Sequence, residues 1–461
     1  RLTGPYLYTN RCGKPVDELW TNLGPEVINI SYTGSRSIIH RVIQIDFSSI
    51  SAFLTGFSTY PQPLRLRLRI FTIFFLYKQT HQTVRKGELS TIMKLVFDKA
   101  DLVKSVGIAM KAVSGKTTMP ILECILIDAS SNVIKFTSND MELGIETIVT
   151  GMILERGIVA LDAKIFSEIV RKLPDNQVTI ETDENLVTTI TCEKAKFNIP
   201  GQSGEDFSYL PILETSDCVS ISQFTLKELI RQTIFSIAAN ENNKLMTGEL
   251  FEIKDNTLRV VSLDGHRIAI RRIELKDSYP DRKVVVPGKT LNEISKILSG
   301  EMDDQIDIYF SENHIMFKFD DTTVVSRLID GEYFRIDQML SSDYETKVTI
   351  NKKEFLSCID RATLLVKEGD KKPIIIDIQD GAMELQINSA MGSMKEEIDI
   401  NKEGKDIMIG FNPKFLIDAL RVIDDEEISI YLVNPKAPCF IRNEEESYIY
   451  LILPVNFNSV R

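Results

Sequence analysis

The chain has 461 residues, 43% of them hydrophobic, and a formal charge of −12 at pH 7; that length holds about three domains, each large enough to bury its own core. Its six cysteines (Cys12, Cys124, Cys192, Cys218, Cys358, Cys439) are scattered without a Cys-x-x-Cys pair, so no zinc knuckle or disulfide framework is indicated and a reducing cytoplasm is the expected location. Residues 1–92 hold 11 Lys and Arg against 5 Asp and Glu, the remainder 43 against 61, so a body at −18 repels DNA unless its basic residues gather on one surface.

Within residues 1–92 there is no methionine; the first is Met93. The stretch lacks a helical period and carries Leu-Arg-Leu-Arg-Leu-Arg at 64–69, then an apolar run at 70–77. That run falls short of the ~20 residues a membrane helix needs. It lies deep in the segment with no small-residue cleavage pattern after it, which excludes a signal peptide. Residues 1–92 are expected to be translated upstream sequence, with the protein starting at Met93; the alternative is a genuine extension.

From Met93 onward one pattern recurs three times. The segments 164–173, 289–298 and 414–423 lie 125 residues apart, each with apolar residues at helical spacing: Phe166, Ile169, Val170 and Leu173; Leu291, Ile294 and Leu298; Leu416, Ala419, Leu420 and Ile423. Upstream of each, residues 96–103, 223–230 and 350–356 read as a strand followed by a helix. Alternating runs at 132–137, 257–262 and 383–388 read as strands. A fixed long period means one domain built three times, an α+β unit of two helices and several strands. The expected domains are 93–215, 216–343 and 344–461.

Signals for catalysis fail on inspection. Ser114, Gly115, Lys116 and Thr117 resemble the end of a phosphate loop, but the glycine that motif needs five residues before Gly115 is Met110. Gly201, Gln202, Ser203 and Gly204 lack the spacing of a nucleophile elbow. Asp264, Gly265, His266 and Arg267 cluster reactive side chains, yet no second histidine or cysteine pair accompanies them, so a turn after a strand is expected. No catalytic residue, metal or cofactor is expected; an ATP-dependent phosphate-loop enzyme is the competing class.

Six stretches carry a resemblance: Met-Pro-Ile-Leu at 119–122, a Thr-Ser-Asn-Asp turn at 137–140, Leu-Asp-Gly-His-Arg-Ile-Ala at 263–269, Leu-Ile-Asp-Gly at 328–331, Ile-Gly-Phe-Asn at 409–412 and Tyr-Leu-Ile-Leu-Pro-Val at 450–455. Spread over all three repeats, they make residues 93–461 resemble the bacterial DNA polymerase III β subunit, the sliding clamp. The resemblance implies three similar domains per chain and a head-to-tail homodimer, a six-domain ring around duplex DNA with twelve helices lining the hole and sheets on the rim. It implies a non-enzymatic processivity factor that holds the replicative polymerase α subunit, with no membrane partner; ATP-driven opening belongs to a separate clamp loader. A monomeric scaffold that keeps the repeats without the ring is a third class.

Such a ring needs three surfaces. Lys104, Lys111, Lys116, Arg171, Lys172, Arg231, Lys296 and Arg421 lie on or beside the repeated helices and are expected to face phosphates, with Lys116 at a position where clamps carry a basic DNA-contacting residue. The subunit interface is expected to set Lys194, Lys196, Phe197 and Ile199 against Leu364, Leu365, Lys395, Glu396 and Glu397 of a second chain, an apolar centre with complementary charges at its rim. A pocket for short apolar peptides of polymerase, clamp loader and repair proteins is expected at Met246, Leu263, Gly265, His266, Arg267, Ile268, Phe334, Met339, Pro438, Leu451, Ile452, Leu453, Pro454 and Val455. Phe334 stands where many clamps have proline and Asn456 where arginine is usual, which implies a narrower pocket and weaker partner binding.

Overall fold

The computed structural model describes residues 92–115, 117–213, 218–239, 243–341, 343–366 and 372–457. The expectation about residues 1–92 therefore lies outside the described residues up to Thr91, as does Lys116. The first repeat runs β1 (Met93–Asp98), α1 (Lys99–Ala109), β2 (Cys124–Asp128), β3 (Ile134–Asn139), β4 (Leu143–Val149), β5 (Met152–Glu155), β6 (Ile158–Asp162), α2 (Ala163–Lys172), β7 (Gln177–Thr182), β8 (Val187–Cys192) and β9 (Ala195–Ser203). The second runs β10 (Cys218–Ser222), α3 (Gln223–Thr233), β11 (Gly248–Leu263), β12 (Arg267–Pro287), α4 (Gly288–Ser295), β13 (Gln305–Phe310), β14 (His314–Phe319) and β15 (Thr322–Arg327). The third runs β16 (Thr346–Asn351), α5 (Lys352–Thr363), β17 (Ile374–Gln379), β18 (Ala382–Ser389), β19 (Gly392–Asp399), β20 (Asn401–Gly404), β21 (Ile407–Phe411), α6 (Pro413–Val422), β22 (Glu427–Leu432), β23 (Cys439–Arg442) and β24 (Tyr448–Ile452).

Helix starts repeat with the domain. The side chains of Asp98, Asp162, Ser222, Asn351 and Asn412 each accept a hydrogen bond from a backbone N–H in the first turn of α1, α2, α3, α5 and α6. Each cap is worth about 1 kcal/mol and fixes where strand gives way to helix. Two local readings shift. Residues 223–230 are helix throughout, because Ser222 caps at Thr225 N (3.0 Å) and the strand ends before it. The turn read at 137–140 begins only at Asp140, whose Oδ1 accepts from the N–H groups of Glu142 and Leu143, while Thr137 to Asn139 stay in β3.

Each repeat has its own core. In the first, Phe97, Phe136 and Phe166 meet edge to face at 6.0 and 6.1 Å beneath α1 and α2. Corresponding clusters lie under α3 and α4 around Phe251 and Phe317, and under α5 and α6 around Phe355 and Leu420. Burying one such side chain contributes about 1.5–3 kcal/mol, so each domain is held chiefly by the apolar stripe of its helices against its sheet.

The repeats join by strand pairing. β4 of the first repeat pairs antiparallel with β15 of the second, from Leu143 opposite Ser326 to Thr147 opposite Thr322. β12 of the second pairs with β24 of the third, from Arg267 opposite Ile452 to Arg271 opposite Tyr448. The two joints are the same joint displaced by one repeat, since β4 and β12 occupy one position of the domain and β15 and β24 another. The helices follow: α3 and α6 touch across the second joint, and α1 packs on α2 as α3 does on α4 and α5 on α6.

Candidate DNA-facing, subunit and partner surfaces

The six α-helices among the described residues carry 13 Lys and Arg against 7 Asp and Glu, a net +6 within a body at −18. The segregation that DNA binding demands is therefore present on the helices. Their cations fall into two groups. Lys104, Arg171 and Lys172 are exposed and Lys111 half-buried, and none has a carboxylate within salt-bridge range among the described residues. Three expected DNA contacts are instead committed to acids. Arg231 grips Glu228 and, across the domain joint, both oxygens of Asp424 (2.9 and 3.1 Å). The hydrogen bonds it donates to Glu228 chiefly hold its guanidinium above its ordinary pKa. Lys296 pairs with Glu293 at 2.6 Å and Arg421 with Asp360 at 3.4 Å.

Two of the open strand edges stand at positions equivalent to the joints between repeats. In β9, residues 195–200 pair with β8 on one side, and only residues 201–203 turn to pair with β6. β19 pairs with β18 alone. Lys194, Lys196 and Phe197 (39% exposed) sit on the first edge; Lys395, Glu397 and the half-buried Glu396 sit on the second. Leu364 is 75% exposed at the end of α5. Two residues differ from the expectation. Ile199 is 9% exposed and belongs to the first domain's core, whereas Phe197, two residues earlier and opposite Ile190, keeps a larger part of its surface in solvent. Leu365 is half-buried against the third domain's core. Arg361 donates through Nε to Glu396 (3.0 Å) and holds its carboxyl below the usual range, so Glu396 is already partnered within its own chain.

The third surface lies at the joint of the second and third domains. Strand alternation decides which residues reach it. Ile268 and Leu451 stand opposite each other and face a cluster with Leu250, Leu263, Tyr333 and Ile336, rimmed by the half-buried Met246 and Phe334. Ile452, one position on, points through the sheet into the third domain's core, so its assignment to the pocket is corrected. Past the end of β24, the Leu453 N–H donates to His266 carbonyl oxygen at 2.9 Å and the Val455 N–H to Gly410 at 2.8 Å. This fixes the backbone past β24, where Leu453 is 37% exposed and Pro454 and Val455 are half-buried; Met339 is 46% exposed and Pro438 half-buried. A cavity of about 540 Å³ adjoins this cluster, lined by Leu250, Val285, Tyr333, Phe334 and Ile336.

The turn between β11 and β12 is the one the sequence predicts. Gly265 has φ +87°, a left-handed conformation that glycine adopts without strain, and Asp264 Oδ1 accepts from the N–H groups of His266 and Arg267. His266 is exposed and stacks on Phe415. Arg267 departs from the expectation of a pocket wall: it is 7% exposed and entirely engaged. Its guanidinium donates to Asp264, to Asp418 of α6 and to the Phe235 carbonyl, between the rings of Phe235 and Phe415 at 5.3 and 4.5 Å. Sequence reasoning missed Asp418, Phe235 and Phe415 because each is an ordinary residue of an amphipathic helix or its end. In β11 neighbouring apolar residues enter different cores, Phe251 and Val260 the second domain's and Leu250, Val261 and Leu263 this cluster.

The region around Gly115 follows a helix, α1, and its 3-10 extension at residues 110–112, whereas a phosphate loop requires a strand before it and a helix after it. Among the described residues no group of three His, Cys, Asp or Glu side chains is placed to hold a metal, and no helix is long and apolar enough to cross a membrane.

Comparison with known proteins bears on the three repeats. Residues 93–211, 220–334 and 337–456 match the N-terminal, central and C-terminal domains of the DNA polymerase III beta subunit. The beta sliding clamps of Staphylococcus epidermidis and Staphylococcus aureus are each 33% identical over 375 residues, 79% of this chain and 99% of theirs. Among solved structures, a DNA polymerase III beta subunit from Eubacterium rectale is 72% identical with a TM-score of 0.78, covering 79% of this chain and all of that one. A DNA polymerase sliding clamp from Bacillus subtilis is 35% identical with a TM-score of 0.77, covering 80% of this chain and all of that one. With all three of its repeats matched in order, the chain belongs to the DNA polymerase III beta subunit family.

Proposed function

We propose that this chain is a non-catalytic processivity factor: two copies close head to tail into a ring that encircles duplex DNA, slides on it and tethers a replicative polymerase. One observation carries the reading. Every domain has two edges for joining, and within the chain β4 takes β15 and β12 takes β24. One repeat further along, the equivalent of β4 and β12 is β19, and one repeat back from β15 the equivalent is β9; among the described residues β19 and residues 195–200 of β9 lack the partner that their equivalents have. A third joint of the same kind requires a second chain and, made twice, gives β9 and β19 of each chain the pairing that their equivalents already have. Lys194 and Lys196 beside β9 meet Glu397 and Asp399 on β19 with opposite charge. The net-positive helices, carried on one layer, then line the hole, where contacts to phosphate are sequence-independent and topology rather than affinity keeps the ring on DNA.

The cluster around Ile268 and Leu451 is the tether, binding extended peptides with Leu or Phe anchors from the polymerase α subunit, a clamp loader and other clamp-binding proteins. Solution X-ray scattering with light scattering tests the ring. A mass of two chains with the distance distribution of a hollow body is expected; a compact or elongated monomer would leave the fold and remove the encircling mechanism.

A further inference from the structure

We infer that the DNA grip of this ring is concentrated on the first domain of each chain, at Lys104, Arg171 and Lys172, because the second and third domains either lack a cation at the same positions or, at Lys296 and Arg421, have it paired with a carboxylate. The inference rests on the encircling reading above and adds to it an asymmetry which that reading does not require.

The repeats allow position-by-position comparison. Six residues past the helix caps Asp98, Ser222 and Asn351 stand Lys104, Glu228 and Ser357: a cation, an anion and a neutral residue. In the second helix of each domain, at steps of 125 residues, stand Arg171, Lys296 and Arg421, followed by Lys172, Ile297 and Val422. Lys296 is paired with Glu293 and Arg421 with Asp360, whereas Arg171 makes only a long hydrogen bond, at 3.4 Å, to the Ser167 carbonyl of its own helix. At the start of that helix, Lys289 is bound to Asp140 while its first-domain equivalent Lys164 is exposed without a carboxylate partner among the described residues. The third domain keeps Lys353 and Lys414 exposed and unpaired among the described residues, at the N-terminal ends of its helices.

The physical difference between the groups is large. A free exposed cation that meets a phosphate releases a condensed counterion at no other loss. A cation already bonded to a carboxylate must give up that partner, and leaves an anion facing the DNA. Three unpaired cations on the packed pair α1 and α2 thus outweigh paired ones elsewhere on the helices.

The test uses the full chain, each variant first checked by light scattering for two-chain mass and by thermal melting for an unchanged fold. Binding of a fluorescein-labelled duplex is followed by anisotropy across a salt series. For Lys104→Gln/Arg171→Gln/Lys172→Gln, which removes these three cations from both chains, affinity at low salt is expected to fall at least tenfold and the slope of log K against log salt to lose about 5 units, about 0.9 per lost contact. For Lys296→Gln/Arg421→Gln, affinity and slope are expected to stay within twofold and half a unit of the parent. Equal losses in the two variants, or no loss in the first, would overturn the asymmetry while leaving the ring. Absence of duplex binding by the parent at every salt concentration would overturn the encircling reading and this inference with it.

Discussion

Arg267 Nη1 donates to Asp418 Oδ2 at 2.7 Å across the joint of the second and third domains, 151 positions apart in sequence. The bond is one of three donated by a guanidinium held between two phenylalanine rings, and it ends on α6, whose domain supplies Leu451 and Leu453 to the proposed peptide surface. Breaking a buried ion pair from one side costs about 3–5 kcal/mol. Arg267→Ala is expected to lower stability by about that amount in urea denaturation. Asp418→Asn, at a more exposed position, is expected to cost less, and the double variant less than the sum. Additive effects would show that the two residues do not work as a pair.

Glu249 provides a pH-dependent prediction. It is fully buried on β11, and neither carboxylate oxygen has a hydrogen-bond partner among the described residues; the nearby Thr233 hydroxyl spends its proton on the Leu229 carbonyl at 2.6 Å. Burial pushes this carboxyl well above the usual range. Because the folded protein holds the proton more tightly than the unfolded chain, stability is greatest below the ordinary carboxylate pKa of about 4.3 and declines as pH rises towards the folded value. Glu249→Gln is therefore expected to raise the melting temperature at pH 8, with a margin that shrinks towards pH 4. A margin independent of pH would show that Glu249 does not titrate in this way.

The peptide surface separates packing from recognition. Leu451 is fully packed, so Leu451→Ala is expected to cost about 2–5 kcal/mol of stability together with any loss of binding. Leu453 and Met339 are exposed, so Leu453→Asp and Met339→Asp are expected to leave the melt within about 0.5 kcal/mol and to weaken an anchored Leu/Phe peptide by tenfold or more. Fluorescence anisotropy with the labelled peptide checks this. Undiminished binding in both exposed variants would relocate the site.

These predictions also mark how far the sequence could be read. The three-fold repeat was legible because amphipathic helices write their buried face into residues such as Phe166, Leu291 and Leu416 at fixed spacing, and caps such as Asp98 and Asn351 mark where they begin. Lys296 was locally decipherable too, since Glu293 lies one turn before it. The engagement of Arg231 by Asp424 was not, because the two are 193 positions apart and meet only when the domains join. Ile452 was misplaced for a different reason: pocket and core share one strand, and a single step along it changes faces. Sequence spacing fixes which residues share a face, but which face meets which domain is decided by tertiary pairing.

Ring closure yields the last prediction. Leu364 projects from the end of α5 with most of its side chain in solvent, and Phe197 stands on the open edge of β9. An exposed leucine and phenylalanine near unused strand edges gain little in a monomer and become the apolar centre of a contact when a second chain pairs there. Because both are exposed, Leu364→Asp and Phe197→Asp are expected to change monomer stability by no more than about 0.5 kcal/mol while shifting the mass from two chains to one at micromolar concentration. Ile199→Asp serves as a contrast: that residue packs in the first domain's core, so its loss is expected to show as unfolding rather than as clean dissociation. Light scattering beside a thermal melt separates the outcomes, and an intact two-chain species in both exposed variants would place the subunit interface elsewhere.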